Sequence, residues 1–235
     1  MSIVSVVMIG VLAVVTHHLL PTDEDGHGDM TSVVDVEVAT RTVSRAPIVL
    51  LVLAGMFAVV TEVTGGDWAT FRLTDDFGAT AALASLAFVA YTVGMTAMRF
   101  GGDFLQLRLG RMGLHRFSVA VAVVGFVIAC LVPQRWVSIA GFFLVGLGVA
   151  TFMPKLYDDA ARLPGRRGAG LGAMTAGMRA AFLVTPVIVG GLAGTSLSVG
   201  EAVAIYTLPA AAGLVVVTEW NERLLRARRL DPRTV

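Results

Sequence analysis

Seven long apolar runs separated by short charged stretches leave this chain few folds to choose from. They cover residues 3–20, 46–64, 79–98, 118–132, 137–154, 169–194 and 202–218. Most approach the ~20 residues that carry a helix across a hydrocarbon core of ~30 Å. A segment in lipid must satisfy its own backbone N–H and C=O groups, and this selects helices. The shortest run, 118–132, and the longest, 169–194, differ by an amount that tilt absorbs. The expected fold is therefore all-α: a polytopic membrane bundle of seven transmembrane helices. Composition agrees, with only 15% charged residues against about a quarter in soluble domains.

Residues 3–20 lack the positive start and small-residue cleavage site of a signal peptide, so they are expected to be a retained span. The stretch 21–46 is acidic at first and basic near the next run. His27 stands among Glu24, Asp25 and Asp29, but the spacing matches no metal motif and the stretch reads as a solvated linker. Residues 65–78 read as a loop on the other side, with Trp68 as an interfacial anchor. The single cysteine, Cys130, lies in an apolar run and cannot form an internal disulfide.

The loops alternate in charge. One set holds fifteen of the 18 basic residues: Arg41 and Arg45; Arg99, Arg108, Arg111 and Arg116; Lys155, Arg162, Arg166 and Arg167; Arg223, Arg226, Arg228, Arg229 and Arg233. The other set holds only Arg72 and Arg135. The positive-inside rule places the first set in the cytoplasm, with the N-terminus outside and the C-terminus inside. The net charge of +1 implies no polyanionic partner, and no nucleic acid is expected. The bilayer is the first partner.

Candidate functional groups follow from charge at depth. Arg179 sits about 15 Å into its span at 1.5 Å per residue. Such a charge either lines a polar cavity or snorkels and pairs for packing alone. Glu62, near the far end of the second run, is either an interfacial carboxylate or a proton site. Tyr91, Thr175, Thr185, Tyr206 and Thr207 offer hydrogen bonds to a ligand or to the core. The turn within 88–117 carries Arg99, Asp103, Arg108, Gly110 and Arg111, and Asp103 with the arginines forms a candidate breakable charge cluster. Gly141, Gly146 and Gly148, then Gly168, Gly172, Gly190 and Gly194, are spaced for close helix packing. Pro186 and Pro209 are candidate kinks. No nucleotide loop, catalytic triad or cysteine metal site is present in the sequence, so neither an enzyme nor a cofactor is expected.

Several segments resemble the major facilitator superfamily of transporters, and a bacterial subgroup in particular. Glu62-Val63-Thr64-Gly65-Gly66-Asp67-Trp68-Ala69 is similar to that subgroup's E-G-x-x-x-D-W-S at the end of the seventh span. Gly94 to Asp103 is similar to its A-M-T-x-G-R-x-x-G-D. Leu107-Arg108-Leu109-Gly110-Arg111 resembles its D-R-x-G-R turn, with Leu107 in the acid's place. Gly146-Leu147-Gly148, Pro154 and Arg162-Leu163-Pro164-Gly165 resemble G-L-G, P and R-L-P-G. Phe182, Pro186 and Gly190 match positions of the long span, where Arg179 stands for a tyrosine and Thr185 for a glycine.

The resemblance implies a carrier of the bacterial inner membrane that works by alternating access, often proton-coupled, with substrate held between two six-helix halves. It implies that residues 1–20 correspond to the family's sixth span and 21–46 to its central cytoplasmic loop. Residues 47–220 then form the C-terminal six-helix bundle, and 221–235 a basic cytoplasmic tail. Arg99, Asp103, Arg108, Gly110 and Arg111 become the gating loop, while Arg179, Glu62, Tyr91 and Thr175 become a substrate or proton pathway. Five N-terminal spans would be missing, so a small-molecule carrier would need a separate N-terminal half or a second copy. The alternatives are a membrane interaction subunit and an inactive truncated fragment.

Overall fold

A computed structural model describes residues 45–163 and 168–229 of the 235-residue chain. The expected first span, 3–20, and the linker 21–46, apart from its last two residues, lie outside the described residues. So do Arg166 and Arg167, and residues 230–235 of the expected tail.

The described chain is helical and carries no strand. Helix α1 spans Arg45–Phe71 and runs straight into a π-helical turn, Arg72–Asp76. Helix α2 spans Ala81–Leu131, α3 Arg135–Val149, α4 Phe152–Ala161, α5 Ala169–Ala193 and α6 Val199–Arg229. Five segments of the described chain are long and apolar enough to cross a membrane: Ala46–Asp76, Ala81–Leu131, Arg135–Ala161, Ala169–Ala193 and Val199–Leu224. The protein is a multi-pass helical membrane bundle.

Two expectations change in detail. Residues 65–78 are not a loop: the helix continues to Phe71 and the π turn to Asp76. Trp68 is half-buried, packs on the core, and lies 5.4 Å from the Phe71 ring. The runs 79–98 and 118–132 belong to one unit, α2, whose 51 residues would make a straight rod of about 76 Å. The rod is broken at Gly110, where φ is +69° and ψ is 168°. Packing shows that the chain folds back there. Gly146 of α3 lies against Tyr91 and Met95, while Gly148, half a turn further on, lies against Ser118 and Ala122. On a straight helix Tyr91 and Ala122 would be about 46 Å apart.

The left-handed φ at Gly110 is the one place in this turn where a side chain is disfavoured by the backbone. No atom lies within 4 Å of a Cβ built there, so the cost of Gly110→Ala is purely conformational. A loss of about 1–2 kcal/mol is expected, read as a lower unfolding midpoint in detergent. An unchanged midpoint would show that the turn relaxes freely.

Glycine decides how closely the helices approach. A side chain at Gly146 would run into the Tyr91 carbonyl, at Gly94 into the Phe143 carbonyl, and at Gly177 into the Val52 carbonyl. Gly125, Gly141 and Gly148 likewise meet backbone atoms across the α2–α3 seam. The expectation for Gly141, Gly146 and Gly148 holds. The α5 set does not: a side chain at Gly172 or Gly168 meets open space, and at Gly190 only the edge of Trp68 at 3.9 Å. Gly194 meets only carbonyls of its own helix end. The close contacts of α5 are made by Gly170 and Gly177 instead. A face set by one small residue need not coincide with the strongest spacing pattern, because the partner's position chooses it.

α5 is the helix least covered by its neighbours. It packs on α1 through Gly177, Met174 and Ala181. Leu183 and Val187 remain 76% and 74% exposed on the outward side.

Candidate functional site

The kink at Gly110 aims the next residue, Arg111, across the bundle. Its guanidinium pairs with Asp158 at 2.8 Å and with Asp159, both on α4, and with Glu222 on α6 at 3.1 Å. The fork of five N–H donors suits this task, since it can hold several carboxylates in fixed directions. Lys155 reaches Asp159 at 2.6 Å with both side chains buried, and Arg162 reaches Asp158 at 2.8 Å. Arg116 pairs with Glu219 at 2.5 Å. Three helices, α2, α4 and α6, are thus tied by ion pairs at one end of the bundle.

His115 sits behind this network, only 2% exposed. Its Nε2 lies 3.0 Å from the Thr218 hydroxyl, which itself donates to the Leu214 carbonyl at 2.7 Å. The hydroxyl's proton is therefore spent, so His115 donates through Nε2 and its Nδ1 is a bare acceptor. His115 Nδ1, Arg111 Nε and Thr151 Oγ1 are all buried without a hydrogen-bond partner. All three residues line a cavity of about 300 Å³ whose wall also includes Arg99, Asp103 and Lys155.

The gating-loop residues are distributed as follows. Arg111 is the hub. Gly110 is the kink that presents it. Arg99 and Asp103 are exposed and stand in the cavity wall. Arg108 stacks over the Phe104 ring at 4.6 Å. The expected cluster between Asp103 and the arginines does not form: no ion pair joins Asp103 to Arg108 or Arg111 among the described residues. Asp158, Asp159 and Glu222 take that place, from helices distant in sequence. Sequence reasoning treated their neighbourhoods as basic loops and missed them. The available signal was the i,i+4 pairing of Lys155 with Asp159 and Asp158 with Arg162 on one short helix.

The pathway residues are not gathered into one site. Tyr91 is buried, and its hydroxyl donates to the backbone carbonyl of Glu62 at 3.0 Å. Its ring fills the space left by Gly65 and Gly66. Glu62 is half-buried, with Oε2 enclosed and unpartnered. Thr175 is half-buried on α5. Arg179 is exposed on the outward face of α5, with no ion pair or hydrogen bond among the described residues. Nothing joins it to Glu62. The polar residues Thr185 and Tyr206 bond to each other at 3.3 Å, and Thr207 donates to the Val203 carbonyl at 2.7 Å, so these serve packing between and within helices.

No group of three or more metal-ligating side chains occurs among the described residues. No family model matches the chain, and no solved structure matches it. Curated relatives do. A membrane protein of Rhizobium meliloti named MosC is 31% identical over 147 residues, covering 61% of this chain and 36% of the relative. An uncharacterised transporter of Sinorhizobium fredii is 32% identical over 47% of this chain and 30% of its own length. An uncharacterised MFS-type transporter of Yersinia pestis is 29% identical over 40% of this chain and 24% of its own. The matched part is thus between a quarter and about a third of each relative's length. With five apolar spans and relatives of this kind, the likeness seen in the residues is shown by the comparisons as well: the chain resembles the membrane transporters of the major facilitator superfamily over part of their length.

Proposed function

We propose that the chain is the C-terminal part of a secondary active carrier that moves a small solute by alternating access, coupled to protons. In this reading the Arg111 network is the contact that holds one end of the bundle shut. The observation that carries it is the hub itself: one arginine at a tight turn binds carboxylates on two other helices, and small rotations of those helices can break it. In the same reading the positive-inside bias puts this end in the cytoplasm and the N-terminus outside, and the resemblance implies seven spans in the bacterial inner membrane.

Arg179 extends the reading. An arginine far from either end of a span is normally turned toward protein or water, whereas here it faces away from the described bundle. Something else must supply its surroundings, and a separate N-terminal half or a second copy of this chain fits that need. The same observation favours a second reading, in which the chain is a membrane interaction subunit that is not itself a carrier.

The test is transport in vesicles made from membranes that contain the chain and its natural associates. A trapped pH-sensitive dye reports proton movement when lactate, glucose or ethidium is added, sampling anion, sugar and cation classes. Solute-dependent proton flux is expected, with anions favoured. Arg179→Ala is expected to reduce it at least tenfold, a loss of about 1.4 kcal/mol or more, with insertion unchanged. Normal flux in that variant would remove Arg179 from the mechanism. Absence of flux with all three probes, together with a stable co-purifying partner, would favour the interaction subunit.

A further inference from the structure

The opposite end of the bundle holds a second polar cluster, about 30 Å away along residues 111–131. Its centre is Arg72, 5% exposed, in the π turn that ends α1. The guanidinium pairs with Asp76, four residues on. It also donates from Nε to the Ala129 carbonyl and from Nη2 to the Val132 carbonyl, both at 3.4 Å, and covers the Phe77 ring at 4.7 Å. Asp76 in turn accepts from the backbone N–H groups of Val199 and Gly200, each at 2.9 Å.

The pair thus bridges two helix ends of opposite polarity. Carbonyls near the end of α2, which also accept from the Ser138 hydroxyl and the Gln134 N–H, take the cation, and amides left over at the start of α6 take the anion. Gly200 has no space for a side chain because the Cys130 carbonyl and the Arg72 guanidinium lie against it. Cys130 is 2% exposed beneath this clasp.

We propose that the Arg72–Asp76 pair is a releasable latch that closes this end of the bundle over Cys130. Three features distinguish a latch from a fixed brace. The groups it satisfies are helix-terminal, and water satisfies them equally well once it arrives. A cavity of about 530 Å³ stands beside it, lined by Asp75, Asp76, Cys130, Ser198 and Glu201, so water is already adjacent. Finally, Asp76 reaches α6 from the end of a turn that is wound as a π helix. Rewinding that turn to α geometry would change the angle at which Asp76 leaves the helix, so the turn offers two discrete arrangements for the latch. The inference stands whether or not the chain moves a solute.

Cys130 is the only cysteine, so it reports the latch without ambiguity. In detergent micelles, where both ends are reachable, a membrane-impermeant maleimide is expected to label the native protein slowly. Asp76→Asn and Arg72→Met each leave one partner without its counter-charge. Both are expected to speed labelling by on the order of a hundredfold. A second site keeps the test local. Ser118 is buried toward the other end of the same helix half, and its hydroxyl has no hydrogen-bond partner. Ser118→Cys in a Cys130→Ser background is therefore a mild change, and it is expected to stay unlabelled when Asp76→Asn is added. Unchanged labelling of Cys130 in both latch variants overturns the proposal. Fast labelling at both Cys130 and Ser118→Cys overturns it too, since the pair would then be a brace for the whole fold.

Discussion

Arg111→Met is expected to lower stability by about 2–3 kcal/mol in a denaturant titration in detergent. The argument is one of stranded charge. Asp158, Asp159 and Glu222 converge on a single guanidinium, and Asp159 is almost fully buried. Removing the cation leaves Asp159 with Lys155 alone, and leaves Asp158 with Arg162 at the surface. A fully buried pair loses about 3–5 kcal/mol when one partner is removed. The Arg111 side chain is 29% exposed, so water recovers part of that amount. Arg111→Lys keeps the charge without the fork and is expected to recover only a fraction, because a lysine cannot hold three carboxylates in fixed directions. A loss below about 0.5 kcal/mol in Arg111→Met would reduce the network to a surface ornament and remove the support it lends to gating.

The second large effect is steric. Gly146→Leu is expected to cost about 3 kcal/mol or more, since the side chain would have to occupy the space of the Tyr91 carbonyl and the Met95 amide. Backbone cannot move aside as a flexible side chain can. The α2–α3 seam has five such glycines, Gly94, Gly125, Gly141, Gly146 and Gly148, so opening it at one point loosens the others. Gly172→Leu is the matched control. It is the fourth residue of α5, in the first turn, with nothing within 4 Å, and it should be neutral or stabilising by less than about 1 kcal/mol through helix propensity. Measuring both by the same unfolding assay separates contact from propensity. Equal effects would contradict the packing described for α3.

The difference between these glycines also marks how far the sequence can be read. The apolar runs from residue 46 onward were legible because crossing a bilayer imposes a length and a composition on each segment separately. Gly141, Gly146 and Gly148 were legible as packing residues for the same local reason. Which glycines of α5 touch α1 was not, because that depends on where α1 lies. The gating turn was half legible: Gly110 and Arg111 stood out, but the carboxylates that complete the network come from residues 158, 159 and 222. The i,i+4 pairs of Asp158 and Asp159 mark them as charged neighbours on one helix, but their convergence with Glu222 on Arg111 is a property of the bundle. The π turn was missed because nothing in FRLTDD sets an apolar period. Arg179 was legible as a buried-depth charge, while the direction it faces was set by how α5 packs.

The length of α6 has one more consequence. The helix starts where Asp76 caps it, and Trp220 lies about 32 Å along it, close to the ~30 Å thickness of the hydrocarbon layer. Trp220 is 59% exposed, and Trp136, at the start of α3 near the other end, is 52% exposed. An indole prefers the headgroup level, where its ring sits in lipid and its N–H meets water. The two side chains therefore act as a pair of depth marks that fix where the bilayer begins and ends along the bundle. On that scale the last turns of α6 lie past the hydrocarbon layer. Glu222 and Arg223 stand at their base, so the Arg111 network sits at the headgroup boundary, where lipid charge can compete for its ions.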